Sequence, residues 1–211
     1  MKTLKKALVT GLVAVMMVVN LAGCGKFDAA AYVESCLDLL TKGETEQYMK
    51  MTGRSKEQAE SDYESNIDAM MTEMDQFNLS DELSNSYRQL FKDVYAKAKY
   101  TVKDAEKMDD KDGYYVTVEI EQMTGLFNGI QEELMTEWAN SFDADTYPTE
   151  DEMYEQMYQM MYDLMSARLD SITYNDPQEV VVEVIGEDNV YSISDGSMTE
   201  LDEALLDVAT E

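Results

Sequence analysis

Two stretches of the chain alternate apolar and polar residues, and they constrain the fold more than any other sequence feature. The first runs through residues 98–103 and 114–121, with the turn-forming sequence DDKDG between the two halves. The second joins residues 179–185 to residues 190–194 across a turn predicted at 186–189. A period of two is typical of half-buried strands. Each stretch therefore predicts an antiparallel hairpin.

Outside the two hairpins, apolar residues recur every three or four positions, which predicts amphipathic helices. Four polar residues are predicted to cap these helices at their N-termini: Asp28, Ser55, Ser80 and Thr149. Gly43 is predicted to end the first helix, the segment DADTYP to separate two others, and Ser197 with Glu200 to frame a short last helix.

The order of these elements predicts an α+β fold. N-terminal amphipathic helices come first, and two hairpins build an antiparallel sheet. A helical insertion lies between the hairpins, and a short C-terminal helix ends the chain.

The N-terminus has the layout of an export signal. Lys2, Lys5 and Lys6 precede an uncharged apolar run over residues 7–19. A basic segment followed by about 7–15 apolar residues is typical of a secretory signal peptide. The run is short for a membrane-spanning helix, which needs about 20 apolar residues.

The four residues after this apolar run resemble the lipobox of bacterial lipoproteins. They are Leu21, Ala22, Gly23 and Cys24. The resemblance implies that Cys24 receives a diacylglyceryl group and that signal peptidase II cleaves just before it. The chain then divides into a removed signal peptide (1–23), a lipidated cysteine with a very short linker (24–27) and a single α+β domain (28–211). An ordinary cleaved signal that leaves Cys24 as a thiol is the alternative.

A wider resemblance rests on three stretches, at residues 27–53, 98–123 and 190–206. Their pattern is similar to that of surface lipoproteins from Gram-positive, clostridia-like bacteria, in which a domain of unknown function follows the lipobox. Such domains are similar to NTF2-like or cystatin-like folds, where a curved sheet wraps a helix. The helices between the two hairpins depart from that arrangement. The resemblance implies no activity and no functional residue beyond Cys24.

The charge of the chain limits its partners. It carries 44 acidic and 16 basic residues, a net charge of −28, and Arg168 is the single base after Lys111. Such a surface repels phosphate backbones, so no nucleic acid is expected as a partner. A well-hydrated surface is the favoured interpretation, with a cationic partner as the alternative. Charge alone predicts that the less acidic N-terminal half faces the lipid headgroups.

The residue inventory predicts neither a catalytic site nor a cofactor. The chain has no histidine, which excludes histidine-based triads and the usual histidine-containing zinc sites. Cys36 falls on the apolar side of the first helix, and burial is its predicted role. A hydrolase using two carboxylates stays open as an alternative, because 44 acidic residues guarantee that some pair exists.

Two segments could bind metal, although structural roles are favoured for both. Methionines over residues 153–165 could collect Cu(I), but their helical spacing favours core packing. Asp143, Asp145 and residues 150–152 could collect Ca²⁺, but they lack the spacing of an EF-hand. No metal site is predicted. The leading hypothesis is a non-enzymatic domain, anchored on the outer face of the cytoplasmic membrane through Cys24. It binds an unknown protein, envelope component or small molecule at the concave side of its sheet.

Overall fold

The computed structural model describes residues 19–20 (backbone only), 27–141, 148–188 and 190–208. These residues contain seven α-helices and seven strands. The helices are α1 Ala29–Lys42, α2 Glu46–Thr52, α3 Lys56–Thr72, α4 Asp81–Tyr95, α5 Ile130–Ser141, α6 Glu150–Arg168 and α7 Asp195–Leu205. The strands are β1 Val19–Asn20, β2 Lys99–Lys107, β3 Gly113–Glu121, β4 Met123–Thr124, β5 Thr173–Tyr174, β6 Gln178–Glu187 and β7 Val190–Ile193.

The main sheet is antiparallel throughout and has the strand order β1-β7-β6-β3-β2. Both predicted hairpins are confirmed, as β2–β3 and β6–β7. Pairing of β3 with β6, from Gly113 opposite Ile185 to Ile120 opposite Gln178, joins them into one sheet. β4 and β5 form a separate two-stranded ladder. The second hairpin turn is shorter than predicted, because β6 continues to Glu187.

The α+β fold class is confirmed, and the four predicted caps lie where the sequence places them. The side chains of Asp28, Ser55, Ser80 and Thr149 each accept a hydrogen bond from a backbone N–H in the first turn of their helix. Gly43 ends α1 in the left-handed region, at φ 68°. That conformation favours a residue without Cβ.

The start of the last helix was predicted wrongly. The cap of α7 is Ser194, whose Oγ accepts a hydrogen bond from the Ser197 N–H at 3.2 Å. Ser197 lies inside the helix and is buried. Its Oγ accepts a hydrogen bond from the Glu183 N–H at 2.8 Å, and this contact ties α7 to β6. The predicted break between two helices at DADTYP spans residues 143–148, and residues 143–147 lie outside the described residues.

The helices cover one face of the sheet and leave the other exposed. Val116, Val118 and Ile120 of β3 and Val182 and Val184 of β6 are fully buried on the covered face. α1 packs on this face against β2 and β3, and α7 packs against β6 and β3. The buried apolar residues of sheet and helices form one connected cluster. The opposite face exposes the side chains of Tyr115 and Val181.

The two edges of the sheet differ. β2 has an irregularity in its pairing between Val102 and Ala105 and carries Lys99, Lys103 and Lys107. Bulges and lysines discourage a further strand from pairing with an exposed edge. At the other edge, the short β1 pairs with β7. The cleavage predicted before Cys24 would remove β1 and leave a four-stranded sheet with β7 at its edge.

Candidate functional site

A polar groove of about 340 Å³ lies where the C-terminal end of α1 meets the start of β2 and the end of β3. Seven residues line it: Lys42, Ala98, Lys99, Tyr100, Thr101, Glu119 and Glu121. β2 supplies three of these residues, and β3 supplies the two glutamates. The groove therefore lies at the lysine-bearing edge of the sheet and not across the middle of the exposed face.

Hydrogen bonds fix the α1 side of the groove. The Tyr100 hydroxyl donates to Asp38 Oδ1 at 2.6 Å and lies 3.1 Å from Thr41 Oγ1. Lys42 Nζ donates to the same Asp38 oxygen at 2.7 Å and lies 4.5 Å from the centroid of the Tyr100 ring. Burial and the Asp38 hydrogen bond raise the pKa of Tyr100 to about 12, so its hydroxyl keeps its proton near neutral pH. On this side of the groove, one ammonium group is thus paired with one carboxylate.

Ion pairs between β2 and β3 form the other side of the groove. Lys99 Nζ lies 3.8 Å from Glu121 Oε2, and Lys103 Nζ lies 3.3 Å from Glu119 Oε1. Lys99 Nζ also lies 3.6 Å from the centroid of the Tyr174 ring, a cation–π contact that holds the ammonium group at the groove. These side chains are partly exposed, so a bound ligand could compete for them.

The two carboxylates of the groove come from one strand and are both paired with lysines. Glu119 and Glu121 project from the same face of one strand, and each has a lysine partner. A hydrolytic pair instead needs two carboxylates on opposite sides of the bond that breaks, with different proton affinities. The groove offers the ammonium groups of Lys42 and Lys99 beside the two carboxylates. A ligand that carries both charges would find complementary groups here.

The sequence pattern predicts the side of the groove formed by β2 and β3 but not the side formed by α1. The facing lysines and glutamates of β2 and β3 follow from the hairpin pattern, since residues opposite each other in a hairpin are neighbours. The wall formed by Asp38 and Lys42 depends on how α1 packs against β2, and no local pattern encodes it. The groove lies at the β2 edge, whereas the sequence predicted binding at the concave side of the sheet, and that binding site stays a prediction.

The residues predicted for lipid attachment, Leu21, Ala22, Gly23 and Cys24, lie outside the described residues. The first side chain described after them is that of Phe27, which is 9% exposed. Its ring stacks on Tyr191 with a centroid distance of 4.2 Å and lies 5.7 Å from the Tyr114 ring. Asp28, the next residue, caps α1. Phe27 is thus anchored in the core directly before α1.

The second cysteine is a core residue, as predicted. Cys36 is free and fully buried on α1. Burial raises the pKa of its thiol to about 12, against an ordinary value of 9.0. The thiolate is the reactive form of cysteine. Its population near neutral pH is therefore very small in the folded protein.

We expect Cys36 to react with a thiol reagent such as DTNB at least about a thousand-fold more slowly in the folded protein than in urea, because both burial and the raised pKa suppress reaction. The rate of thiol release at pH 8 measures this. A folded protein that reacts as fast as the unfolded chain would contradict the burial of Cys36. The same assay on a Cys36→Ala variant gives the background.

The methionine-rich helix α6 packs into the core. Met161 and Met165 are buried, as is Tyr158, whose ring lies 4.7 Å from that of Phe77. At the start of α6, Glu152 completes a capping box with Thr149, which confirms the predicted cap. Asp143 and Asp145 lie outside the described residues. Within the described ranges, no three His, Cys, Asp or Glu side chains converge on a common point for a metal ion.

No helix among the described residues is both long enough and apolar enough to cross a membrane.

The fold and groove define an α+β domain with an antiparallel sheet and a polar groove at one edge. No protein-family model matches the chain, and no curated protein matches it. The resemblance to NTF2-like or cystatin-like domains therefore stays a prediction.

Among solved structures, the chain is similar to a "putative lipoprotein" of Bacillus subtilis, YcdA. The TM-score is 0.56 at 17% sequence identity, over 84% of this chain and 56% of YcdA. At this identity the likeness concerns the fold, and the chain spans little more than half the length of YcdA.

Proposed function

We propose that this chain is an extracytoplasmic lipoprotein, held on the outer face of the cytoplasmic membrane by acyl chains on Cys24. The observation that carries the proposal is the lipobox, Leu21 to Cys24, placed directly after a basic segment and an apolar run. Two acyl chains suffice for stable anchoring, since each buried methylene contributes about 0.8 kcal/mol. The fold shared with the B. subtilis protein named a putative lipoprotein supports the same conclusion.

The mass of the mature N-terminus tests this proposal. Trypsin cleaves after Lys26, so the first peptide of the mature protein is Cys24-Gly25-Lys26. Mass spectrometry of the protein extracted from membranes should find this peptide carrying a diacylglyceryl group. Detection of an unmodified peptide that begins at Cys24 would show an ordinary cleaved signal instead. A peptide that extends upstream of Cys24 would rule out cleavage at this site.

The domain itself is proposed to be a non-enzymatic binding module that uses the groove at the β2 edge. The support is the set of paired charges and aromatic rings described above, with Lys42 and Lys99 beside Glu119 and Glu121. Ligands that carry both an ammonium and a carboxylate group, such as peptide segments, complement this set. The groove faces solvent, so a protein or envelope component can reach it.

Photo-crosslinking in living cells tests the use of the groove. We expect p-benzoylphenylalanine at Thr101, an exposed groove residue, to give a discrete crosslinked product. The product should weaken when Lys99→Glu reverses one of the groove charges. The matched control places the same probe at Thr136, which is exposed on α5 outside the groove. Equal products at both positions, or none at Thr101, would contradict binding at the groove.

A further inference from the structure

The connection between the lipid-bearing residue and the domain fixes the orientation of the domain on the membrane. Two residues, Gly25 and Lys26, lie between Cys24 and Phe27, so their Cα atoms are at most about 11 Å apart when the chain is fully extended. Phe27 is buried against Tyr191 and Tyr114, and Asp28 caps α1. Because Phe27 is packed in the core, the residues after it add no length to the tether. The lipid attachment point therefore lies within about 11 Å of Phe27.

Phe27 lies at one particular end of the sheet. Tyr114 is the second residue of β3, directly after the β2–β3 turn, and Tyr191 is the second residue of β7, directly after the β6–β7 turn. The end of β6 is bonded to the β2–β3 turn, because the Gly186 N–H donates to the Asp112 carbonyl at 2.9 Å. The Tyr191 hydroxyl also donates to the Asp112 carboxylate, at 3.2 Å. We call this the turn end of the sheet.

The chain on the other side of Cys24 meets the same sheet edge. Asn20 of β1 pairs with Val190, the first residue of β7. Before cleavage, Asn20 and Phe27 both lie next to β7. After cleavage, only Phe27 of these two residues is left in the chain. In the mature protein, the contacts of Phe27 are what position the attachment point.

The groove lies at the opposite end of the sheet. Lys99 pairs with Glu121, seven residues along β3 from Tyr114. At about 3.4 Å per residue, the groove is roughly 24 Å from the turn end. When the strands are perpendicular to the membrane, a tether of about 11 Å at the turn end cannot bring the groove to the headgroups.

Charge does not favour the alternative in which the domain lies on its exposed sheet face. That face carries Glu119, Glu121, Glu179 and Glu183, and lysines pair with three of these four glutamates. The turn end is acidic as well, with Asp109, Asp110, Asp112, Glu187 and Asp188 against Lys107 and Lys111. Charge therefore does not select which end faces the membrane, and the short tether does.

Resting on the proposed lipidation of Cys24, we infer that the turn end is the membrane-facing surface of the protein and that the groove points away from the bilayer. This replaces the orientation that charge alone predicts, with the whole N-terminal half facing the headgroups. A partner of the groove would then lie in the space beyond the membrane surface, and lipid headgroups would not be its ligand.

Fluorescence quenching on vesicles tests this orientation. The lipoprotein is purified from membranes with a single added cysteine, as Asp110→Cys at the turn end, Thr101→Cys at the groove or Glu60→Cys on α3. All three positions are exposed, and buried Cys36 does not compete for the label. Each labelled protein is reconstituted in phosphatidylglycerol vesicles that contain phosphatidylcholine with a nitroxide headgroup.

We expect the label at Asp110 to be quenched several-fold more strongly than the labels at Thr101 and Glu60. Equal quenching at Asp110 and Thr101, or the strongest quenching at Thr101 or Glu60, would overturn the inference. Inserting about 12 Gly and Ser residues between Lys26 and Phe27 should remove the difference, because a flexible linker of that length frees the domain. A difference that survives the insertion would show that the tether does not set the orientation.

Flotation of the vesicles separates this inference from the proposed function. If the lipoprotein without an added cysteine or label does not float with the vesicles, the proposed lipid anchor is wrong. If it floats but shows no difference between the turn-end and groove labels, the anchor stands and the orientation fails.

Discussion

Replacing Cys24 with alanine is expected to abolish palmitate incorporation and to leave the signal peptide attached. The thiol is the atom that would carry the diacylglyceryl group, and alanine has no nucleophile to replace it. The effect is all-or-none, because without the thioether neither acyl chain can be attached through it. Metabolic labelling with palmitate, followed by gel electrophoresis and autoradiography, measures both the label and the size of the protein.

Cys36→Ala is the matched control for this experiment. It removes the other cysteine of the chain and makes only a small change in the buried face of α1. We expect it to incorporate palmitate as the unaltered protein does. Palmitate retained by the Cys24→Ala variant, or lost equally from both variants, would contradict a lipid anchor on Cys24.

Replacing Gly113 with alanine is expected to destabilise the fold by about 1–3 kcal/mol. A Cβ at this position would lie 2.6 Å from the Val184 carbonyl oxygen and 2.9 Å from Met108 Sδ. The methionine side chain can move, but the carbonyl belongs to the backbone of β6, where β3 joins the two hairpins. Relieving the clash therefore requires the paired strands to shift.

Gly196→Ala is the control for Gly113→Ala. A Cβ at Gly196 meets no atom within 4 Å, and the residue lies in the first turn of α7. Because alanine is the better helix former, this change should be neutral or stabilise the protein by up to about 1 kcal/mol. Urea unfolding followed by circular dichroism measures both variants. Equal stabilities would contradict the close approach of β6 to Gly113.

Local sequence signals predicted the elements of this fold well, for a physical reason. A capping hydroxyl or carboxylate bonds to a backbone group two or three residues away, so Asp28, Ser55, Ser80 and Thr149 act over a few positions of the chain. The hairpins depend on alternation and on a nearby turn. The error at Ser197 shows the limit, because its hydroxyl bonds to Glu183 on a different element.

Contacts between residues far apart in the chain could not be predicted from local sequence signals. Pairing of β3 with β6 brings together strands that are about 60 residues apart, across two helices. The groove needs the end of α1 to lie beside β2, which places Asp38 and Lys42 next to Tyr100. Both depend on how the helices fill one face of the sheet, and many sequences with the same local pattern could pack differently.

The sequence by itself determined the lipobox, the α+β class and the ends of most helices, because each is encoded by residues close together in the chain. Only the tertiary structure decided that Phe27 packs at the turn end of the sheet and that the polar groove forms at the other. These positions result from packing of distant residues around one core, where burial of apolar surface selects the arrangement. The distance between the anchor and the groove follows from that packing.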